Sequence, residues 1–491
     1  MKKETQAKVR PWRAAMLPLF AALVLAGCAT TAVEAPSFEA PARFKEQAAD
    51  APRDGAWTRA QPAEAQPRGE WWRAFNDPVL DTLIERADAR NTSIQAAAAR
   101  LAEARALARS TEADRAPQVG LVAGGVRSAG LDRNLSTRPD TLLNAGAALS
   151  YELDLFGKLS RASEAAQLDA EARDGLLQST RLLVESEVAQ TYLLLRAVDA
   201  ERALVRDTVE AYRDTLKLTQ SRQRAGDVAD LDVARVETEV ASTESDALTL
   251  DRRRAELEHS LAVLTGVAAS DFGVNTDEWS TALPTIPAGV PATVLTRRPD
   301  VSAAQKSVMA AQARVGVAQA AWFPDISLTA GAGYASSDLG DLFKWSAKSW
   351  GIGALLALPL FDGGRREAGV QSASAQLDGA LASYRTQVLV AFKEVEDQLS
   401  SLRILSQQAE VQGRAVTSAT RATSLSDSRY RNGMVSQLDL LDARRQELAN
   451  RRQALQVRSA QYQATVGLVR AIGGSWDVKV ASSARETVAA R

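Results

Sequence analysis

Two short stretches of the chain combine a glycine with closely spaced carboxylates. Residues 224–237 read RAGDVADLDVARVE, and residues 431–444 read RNGMVSQLDLLDAR. In the later stretch Asp439 and Asp442 are three residues apart, so they would share one face of a helix. Carboxylates gathered beside a turn could favour cations over anions in a pore. Ordinary solvated charges on a helix surface would leave the same pattern in the sequence.

Other kinds of chemistry have little support in the sequence. The only histidine, His259, lies in a charged run, RRRAELEHS, which is typical of a helix surface rather than of a catalytic base. No GxxxxGK[ST] loop, metal-ligand cluster or nucleophile arrangement occurs, so we predict neither an enzyme nor a cofactor. The 59 basic and 60 acidic residues nearly balance, which argues against a nucleic-acid partner.

Both glycine-containing stretches belong to a tandem repeat. Five positions match without a gap: Arg224, Gly226, Val228, Leu231 and Asp232 correspond to Arg431, Gly433, Val435, Leu438 and Asp439. The match extends over two copies at about 91–266 and 298–473 and pairs Pro117 with Pro324. We therefore predict repeat 1 at 71–270, a linker at 271–297, repeat 2 at 298–475 and a C-terminal tail at 476–491.

Long helices are predicted in each copy. The segments 157–225 and 364–432 lack proline and are rich in good helix formers. After each glycine turn we expect a return helix of about 39 residues, which ends at Gly266 or Gly473, because glycine commonly follows the last helical residue. A shorter helix leads each copy and stops at its proline. Apolar residues at coiled-coil spacing predict that the long helices pack side by side: Val188, Tyr192 and Leu195 in copy 1, and Phe392, Val395, Leu399 and Leu402 in copy 2.

Between these helices the apolar period changes from 3.6 residues to 2. Alternation predicts strands at 144–155, 326–334 and 350–360 and a weaker strand near Val119 and Leu121, so the hairpins span about 117–156 and 324–361. Such strands are long enough to cross a bilayer when tilted, and several aromatic residues lie toward their ends: Tyr151, Phe156, Trp322, Phe323, Trp350 and Phe361. A soluble antiparallel sheet packed on a helix is the alternative. Because four strands cannot close a barrel, the bilayer interpretation requires an oligomer, whose number of subunits the pattern does not fix.

The first residues resemble an export signal. Basic residues precede an apolar run, AAMLPLFAALVLA, that ends in LAGC, where a bacterial lipoprotein signal places its lipidated cysteine. We predict a lipoprotein signal peptide at 1–27, lipidation at Cys28 and a lipid-anchored Pro/Ala-rich tether at 28–70. Ala29 follows the cysteine, and the resemblance implies sorting to the outer membrane.

Three motifs and the paired hairpins resemble one known family. The motifs are LAGC at 25–28, WWRAFNDPVLDTLI at 71–84 and YELDLFGKL at 151–159. They resemble the outer-membrane factor (TolC-like) family, in particular the lipoprotein branch of tripartite RND-type efflux systems, over nearly all of the mature chain. The resemblance implies a membrane α+β fold: a trimeric 12-stranded outer-membrane β-barrel, four strands per chain, continuous with a long periplasmic α-helical barrel.

The same resemblance implies a function and partners. A homotrimer in the outer membrane of a Gram-negative bacterium, in contact with its lipid, would be a passive conduit for small molecules. It would receive them from an inner-membrane RND-type pump and a periplasmic adaptor (membrane fusion) protein. A type I secretion channel and a non-conducting periplasmic coiled-coil lipoprotein are the alternatives. The cargo, whether drug, solvent, dye or metal ion, stays open.

Site residues also follow from the resemblance. It implies a periplasmic gate formed by Asp439, Asp442, Asp232 and Tyr430, and hairpin tips that contact the adaptor at Gly226, Val228, Gly433 and Val435. In a trimer Asp439 and Asp442 would bring six carboxylates to one pore and favour cations. One departure is Val435, which stands where TolC carries an arginine.

Overall fold

The computed structural model describes residues 33–34, 36, 44–46, 69–129, 140–284 and 298–474. The signal peptide predicted at 1–27, the lipidation site Cys28 and the tail predicted at 476–491 lie outside the described residues. So do most of the tether predicted at 28–70 and residues 285–297 of the predicted linker.

The described residues form long helices and one four-stranded sheet, as predicted. In chain order the elements are α1 (Pro78–Arg90), α2 (Thr92–Ala113), β1 (Gln118–Ser128), β2 (Asp140–Leu153), α3 (Lys158–Ala225), α4 (Asp230–Leu264), α5 (Pro299–Ala320), β3 (Asp325–Ser336), β4 (Lys348–Ala357), α6 (Arg365–Arg431) and α7 (Gln437–Ala471). Short 3₁₀ helices lie at Trp71–Phe75, Ala269–Asp271, Leu339–Asp341 and Trp345–Ala347. None of the described helices is long and apolar enough to cross a membrane.

The long helices and their glycine ends confirm the repeat. α3 has 68 residues and α6 has 67, within one residue of the predicted bounds. The return helices α4 and α7 have 35 residues each, fewer than expected because the turn after each glycine extends further. All four helices end at a glycine with positive φ, and the residue after each glycine donates its N–H to the carbonyl five residues earlier at 2.9 Å. These glycines are Gly226, Gly266, Gly433 and Gly473.

One helix was not predicted from the sequence: α1 begins inside the motif at 71–84 and continues to Arg90. Asp77 caps its start, since Oδ1 accepts hydrogen bonds from the N–H groups of Val79 (3.0 Å) and Leu80 (3.2 Å). Asn91 ends it and begins α2, because its Oδ1 accepts from Ser93 N–H at 2.9 Å. Two capping side chains, Asp77 and Asn91, therefore set the start and the end of α1.

The chain forms two compact units. Among the residues that the structure describes, the strand unit holds those within Met1–Ser37, Leu101–Arg173 and Ala304–Tyr384, and the helical unit holds those within Phe38–Arg100, Asp174–Ala303 and Arg385–Arg491.

In the strand unit the sheet is antiparallel throughout, in the order β1-β2-β3-β4. Register places apolar residues of all four strands on one face, which we call the apolar face: Val119, Leu121, Ala147, Leu149, Tyr151, Leu328, Ala330, Ala332, Tyr334, Trp350, Ile352 and Leu356. Glycine, alanine and polar residues predominate on the other face, which also carries Val122, Val126, Leu142 and Leu355. The strand expected to be weak, β1, has 11 residues and pairs along its whole length.

Two strands end earlier than predicted. β4 ends at Ala357 rather than 360, because Pro359 has no N–H to donate to a neighbouring strand. β2 ends at Leu153 rather than 155, because the Asp154 carboxylate accepts hydrogen bonds from the N–H groups of Leu159 (3.1 Å) and Ser160 (2.7 Å) at the start of α3.

In the helical unit the predicted coiled-coil residues are mostly buried. Val188, Tyr192 and Leu195 are at most 1% exposed, and Val395 and Leu399 are also buried. Phe392 and Leu402 are only half-buried, and the Phe392 ring packs 5.6 Å from the ring of Phe44. A residue before repeat 1 therefore completes this part of the core.

Candidate gate at the tips of the two helical hairpins

Both helical hairpins turn at a glycine whose backbone lies in the left-handed region. φ is 84° at Gly226, between α3 and α4, and 73° at Gly433, between α6 and α7. A Cβ added at either position would meet nothing within 4 Å, so glycine is required by the backbone conformation and not by crowding. Val228 and Val435, the other predicted tip residues, are half-buried in these turns.

Asp439 fixes the start of α7. Its Oδ2 accepts hydrogen bonds from the Ser436 backbone N–H at 3.0 Å and from the Ser436 hydroxyl at 2.6 Å. In return Ser436 Oγ accepts from Asp439 N–H at 3.3 Å. This reciprocal arrangement is a capping box, so the Asp439 carboxylate already has a structural role within one chain.

Asp232, at the matching position of repeat 1, forms only half of this arrangement. Its Oδ2 accepts from Ala229 N–H at 3.4 Å, and alanine has no side-chain oxygen with which to reciprocate. Its Oδ1 lies 3.6 Å from Arg235 on the same helix. Asp232 thus contacts its own hairpin only, among the residues that the structure describes.

Asp442 is the unengaged carboxylate of the predicted gate. It is exposed, and no hydrogen bond or ion pair reaches it from the described residues. Arg445, three residues further along α7, forms its ion pair with Glu239 of α4 instead. Its interaction with the Asp442 charge is electrostatic and acts without a direct contact. The face of α7 that carries Asp442 therefore presents a negative charge that no contact in the described part of the chain neutralises.

Tyr430 joins the second hairpin to the first. Its side chain is 3% exposed, and the Arg222 guanidinium carbon lies 4.6 Å from the ring centroid. Arg222 Nη2 also donates to the carbonyls of Tyr430 and Arg431, each at 3.3 Å. The Tyr430 hydroxyl lies 3.4 Å from Thr219 Oγ1 on α3. Arg222 of α3 thus contacts both the Tyr430 ring and two backbone carbonyls at the end of α6.

One layer further from the tips, Arg444 connects three helices. From α7 it donates to the Ala211 carbonyl of α3 at 2.7 Å and to the Thr215 hydroxyl, and it pairs with Asp427 of α6 at 2.9 Å. Asp427 also pairs with Arg431 at 2.8 Å. One carboxylate therefore couples the end of α6 to the contact that Arg444 makes with α3.

An apolar cluster lies beside this layer. Tyr212 of α3, Val236 of α4 and Leu441 of α7 pack together, with Leu216 and Val240 against them. Burial raises the pKa of Tyr212 to about 12, so its hydroxyl is neutral at physiological pH. The two hairpins of one chain therefore share an apolar cluster and the contacts of two half-buried arginines, Arg222 and Arg444.

Comparison with known proteins identifies the chain. A family model described as "Outer membrane efflux protein" matches residues 83–267 and 290–474. The chain belongs to this family. The two matched segments have the same offset as the repeat, so the family model recognises each copy of this efflux protein separately.

Named relatives match the efflux protein over nearly its whole length. It is 33% identical over 477 residues to the toluene efflux pump outer membrane protein TtgI of Pseudomonas putida, with 94% of this chain and 98% of that protein covered. It is 30% identical over 466 residues to the cation efflux system protein CusC of Escherichia coli, with 94% and 99% covered.

Solved channels share the fold. The outer-membrane channel OprN matches with a TM-score of 0.82 at 28% identity, over 91% of this chain and 100% of that chain. The open state of the Neisseria gonorrhoeae MtrE outer membrane channel matches with a TM-score of 0.76 at 26% identity, over 90% and 98%. The relatives are efflux channels, and they support this function over the secretion and scaffold alternatives.

The structure assembles the predicted gate residues of the efflux protein only in part. Tyr430 lies against the first hairpin, but through Arg222 and Thr219 and not through Asp232. Sequence reasoning missed Arg222, Arg444 and Ser436. The order Ser436-x-x-Asp439 was a readable capping signal, whereas the partners of both arginines depend on which helices pack together. Among the described residues no three His, Cys, Asp or Glu side chains are grouped as metal ligands would be.

Proposed function

We propose that three copies of this efflux protein assemble into a passive conduit across the outer membrane. One observation carries the proposal: the sheet has a largely apolar face that a single chain leaves exposed. Leu121 is 92% exposed, Ile352 82% and Trp350 79%. Exposed apolar surface of this extent on a regular sheet marks contact with a membrane or a partner.

The unpaired edges of the sheet call for further copies. Within the described part of the chain, β1 and β4 each pair on one side only, and in hydrocarbon every unpaired backbone group costs several kcal/mol. Pairing β4 of one copy with β1 of the next removes both edges, and three copies give a closed barrel of about 12 strands, within the range seen for outer-membrane barrels. The family resemblance supports the number three.

The conduit would work with partners that supply energy. The tips at Gly226, Val228, Gly433 and Val435 are the surface we assign to a periplasmic adaptor, which would deliver cargo from an inner-membrane RND-type pump. Acylation of Cys28 would add a lipid anchor. Relatives are named for toluene and for cations, so similarity to them selects no single cargo, and we assign small molecules as a class.

We further propose that the hairpin tips form the constriction of this conduit. Three copies would bring Asp442 and Asp439 of each chain toward one axis. Because the capping box already uses Asp439, Asp442 supplies the carboxylate that is free to interact with passing ions. Arg222, Tyr430, Arg444 and Asp427 would hold the two hairpins of each chain together behind it.

Reconstitution of the full chain tests the proposal. Native mass spectrometry in detergent should give a trimer, and planar bilayers should show ion conductance. Ile352→Glu, on the apolar face, should abolish insertion, since a charge facing lipid is costly. Ser349→Glu, on the other face of the same strand, should permit it. A freely soluble monomer that never conducts would refute the conduit.

A further inference from the structure

The loop between β3 and β4, residues 337–347, exposes three large apolar side chains. Leu339 and Phe343 are each 71% exposed and Trp345 is 79% exposed. The loop lies at the end of the sheet opposite α5 and α6, since α5 leads into the start of β3 and α6 follows the end of β4. An apolar group of this size is uncommon on a surface that stays in water.

The loop is held in a defined shape by its own hydrogen bonds. Asp338 Oδ1 accepts from Gly340 N–H at 3.1 Å, and Lys344 N–H donates to the Asp341 carbonyl at 3.1 Å. Leu342 is 6% exposed and packs inward. The exposure of the neighbouring apolar residues is therefore a fixed feature of the folded loop, which buries one leucine while presenting the others.

One aromatic contact places the loop on the apolar side of the sheet. The Phe343 ring meets the Tyr334 ring edge to face, with centroids 5.7 Å apart and planes at 67°. Tyr334 belongs to the apolar face, where it pairs in register with Ala145 and Lys348. Phe343 thus extends the apolar face beyond the last paired residues of the strands.

We infer that the β3–β4 loop is a membrane-docking element, in which Phe343 and Trp345 insert among lipid acyl chains at the outer end of the sheet. The inference rests on the proposed function, because it extends the face that the proposal assigns to the bilayer. Lys348 Nζ lies over the Trp345 ring. In a docked loop this cation would lie near the lipid phosphates while the ring contacts the acyl chains. Aromatic residues with neighbouring lysines are favoured at membrane interfaces.

Site-specific probes test the inference on the full chain. In a Cys28→Ser background, single cysteines replace Phe343, Trp345, Ile352 or Glu410 and carry an environment-sensitive fluorophore. The labelled proteins are reconstituted into vesicles of phosphatidylethanolamine and phosphatidylglycerol that contain lipids with a nitroxide on the acyl chain. Ile352 on the apolar face serves as the bilayer reference. Glu410, whose side chain is 76% exposed on α6, serves as the aqueous reference.

Lipid docking predicts that probes at 343 and 345 shift to the blue and lose most of their emission to the nitroxide, as the probe at 352 does. A blue shift without quenching would assign the loop to a neighbouring copy and overturn the inference. A water-like, unquenched spectrum at 343 and 345 would overturn it as well. An unquenched probe at 352 would instead refute the bilayer placement of the sheet, so the two failures are distinguishable.

Discussion

The guanidinium carbon of Arg222 lies 4.6 Å from the centre of the Tyr430 ring. Arg222 lies near the end of α3 and Tyr430 near the end of α6, so the contact joins the first helices of two different hairpins. The ring is 3% exposed, so the cation meets a largely desolvated aromatic surface. Desolvated contacts of this kind are worth up to about 2 kcal/mol. Removing the contact should therefore weaken the attachment of one hairpin to the other.

Arg222→Ala should loosen the tips. We expect a loss of about 1–2 kcal/mol in stability, from the lost cation–π contact and carbonyl hydrogen bonds, and a larger single-channel conductance in planar bilayers. Arg224→Ala is the matched control, because among the described residues Arg224 bonds only to Gln220 and Ser221 of its own helix. Equal conductance changes in the two variants would contradict the assigned role of Arg222.

We expect the two aspartates of α7 to have different roles, Asp439 in stability and Asp442 in ion selectivity. Asp439→Ala removes the capping box and should cost roughly 1 kcal/mol of stability. Asp442→Asn breaks no contact within the described residues and should leave stability unchanged. It should, however, reduce cation selectivity, measured as a smaller reversal potential under a salt gradient. If Asp442→Asn leaves the reversal potential as it was, Asp442 does not line the constriction.

The sequence predicts the elements of this fold better than the contacts between them. Proline-free helices, turn glycines and alternating strands are local features, because backbone conformation and periodicity depend on neighbouring residues. The partner of Tyr430 depends on which helices pack side by side, and sequence spacing alone carries no such information. Asp439 is the opposite case, because its role as a cap depends only on Ser436, three residues upstream, and follows from local sequence.

The residue just before the leading helix differs between the two copies: it is Asn91 before α2 and Arg298 before α5. Only the structure explains what the two residues share. Asn91 Nδ2 donates to the Leu264 carbonyl at 2.8 Å, and Arg298 Nη1 donates to the Ala471 carbonyl at 3.1 Å, so both satisfy the end of a return helix. Arg298 is buried and is also paired with Asp300 at 2.7 Å and Glu394 at 2.6 Å.

Arg298→Leu should be strongly destabilising and pH-dependent. It leaves two carboxylates without their buried cation, which costs on the order of 3–5 kcal/mol. Although burial opposes it, the hydrogen bonds and charge of Arg298 lower the pKa of Asp300. The stability from this pair is therefore present above the unfolded-state pKa and is lost as pH falls through the folded-state pKa. Thermal unfolding at neutral and acidic pH should show the deficit shrink in acid.

Asn91→Ala provides the comparison for Arg298. It removes a neutral donor and a helix cap, and should cost about 1–2 kcal/mol at every pH. A deficit for Arg298→Leu that is equally independent of pH would show that the ion pair contributes little.

Close packing of β2 and β3 leaves no room for a side chain at Gly333. A Cβ at Gly333 would press on the Ala145 carbonyl oxygen and lie 2.5 Å from Gly146 Cα, whereas a Cβ at Gly351 would meet nothing within 4 Å. Gly333→Ala should therefore cost roughly 1–3 kcal/mol through overpacking, visible as a lower melting temperature of the folded oligomer. Gly351→Ala should melt like the parent protein, and equal melting of both variants would refute the steric argument.

Asp88 of α1 should oppose folding at neutral pH. Its Oδ1 is buried with no hydrogen-bond partner among the described residues, and burial raises its pKa despite the nearby Arg181 charge. A carboxyl with a raised folded-state pKa lowers the stability of the folded protein as pH rises from the unfolded-state pKa through the folded-state pKa. Asp88→Asn should therefore raise the melting temperature at pH 7 and have no effect well below pH 4, near the ordinary Asp pKa of about 3.9.

Glu85→Gln is the control for Asp88→Asn. The Glu85 side chain is 59% exposed and forms a surface ion pair with Arg73 at 3.7 Å. Such surface pairs contribute little, so this variant should melt within about 1 °C of the parent at both pH values. A gain for Asp88→Asn that persists undiminished in acid would mean that amide hydrogen bonding, and not removal of a buried charge, is the cause.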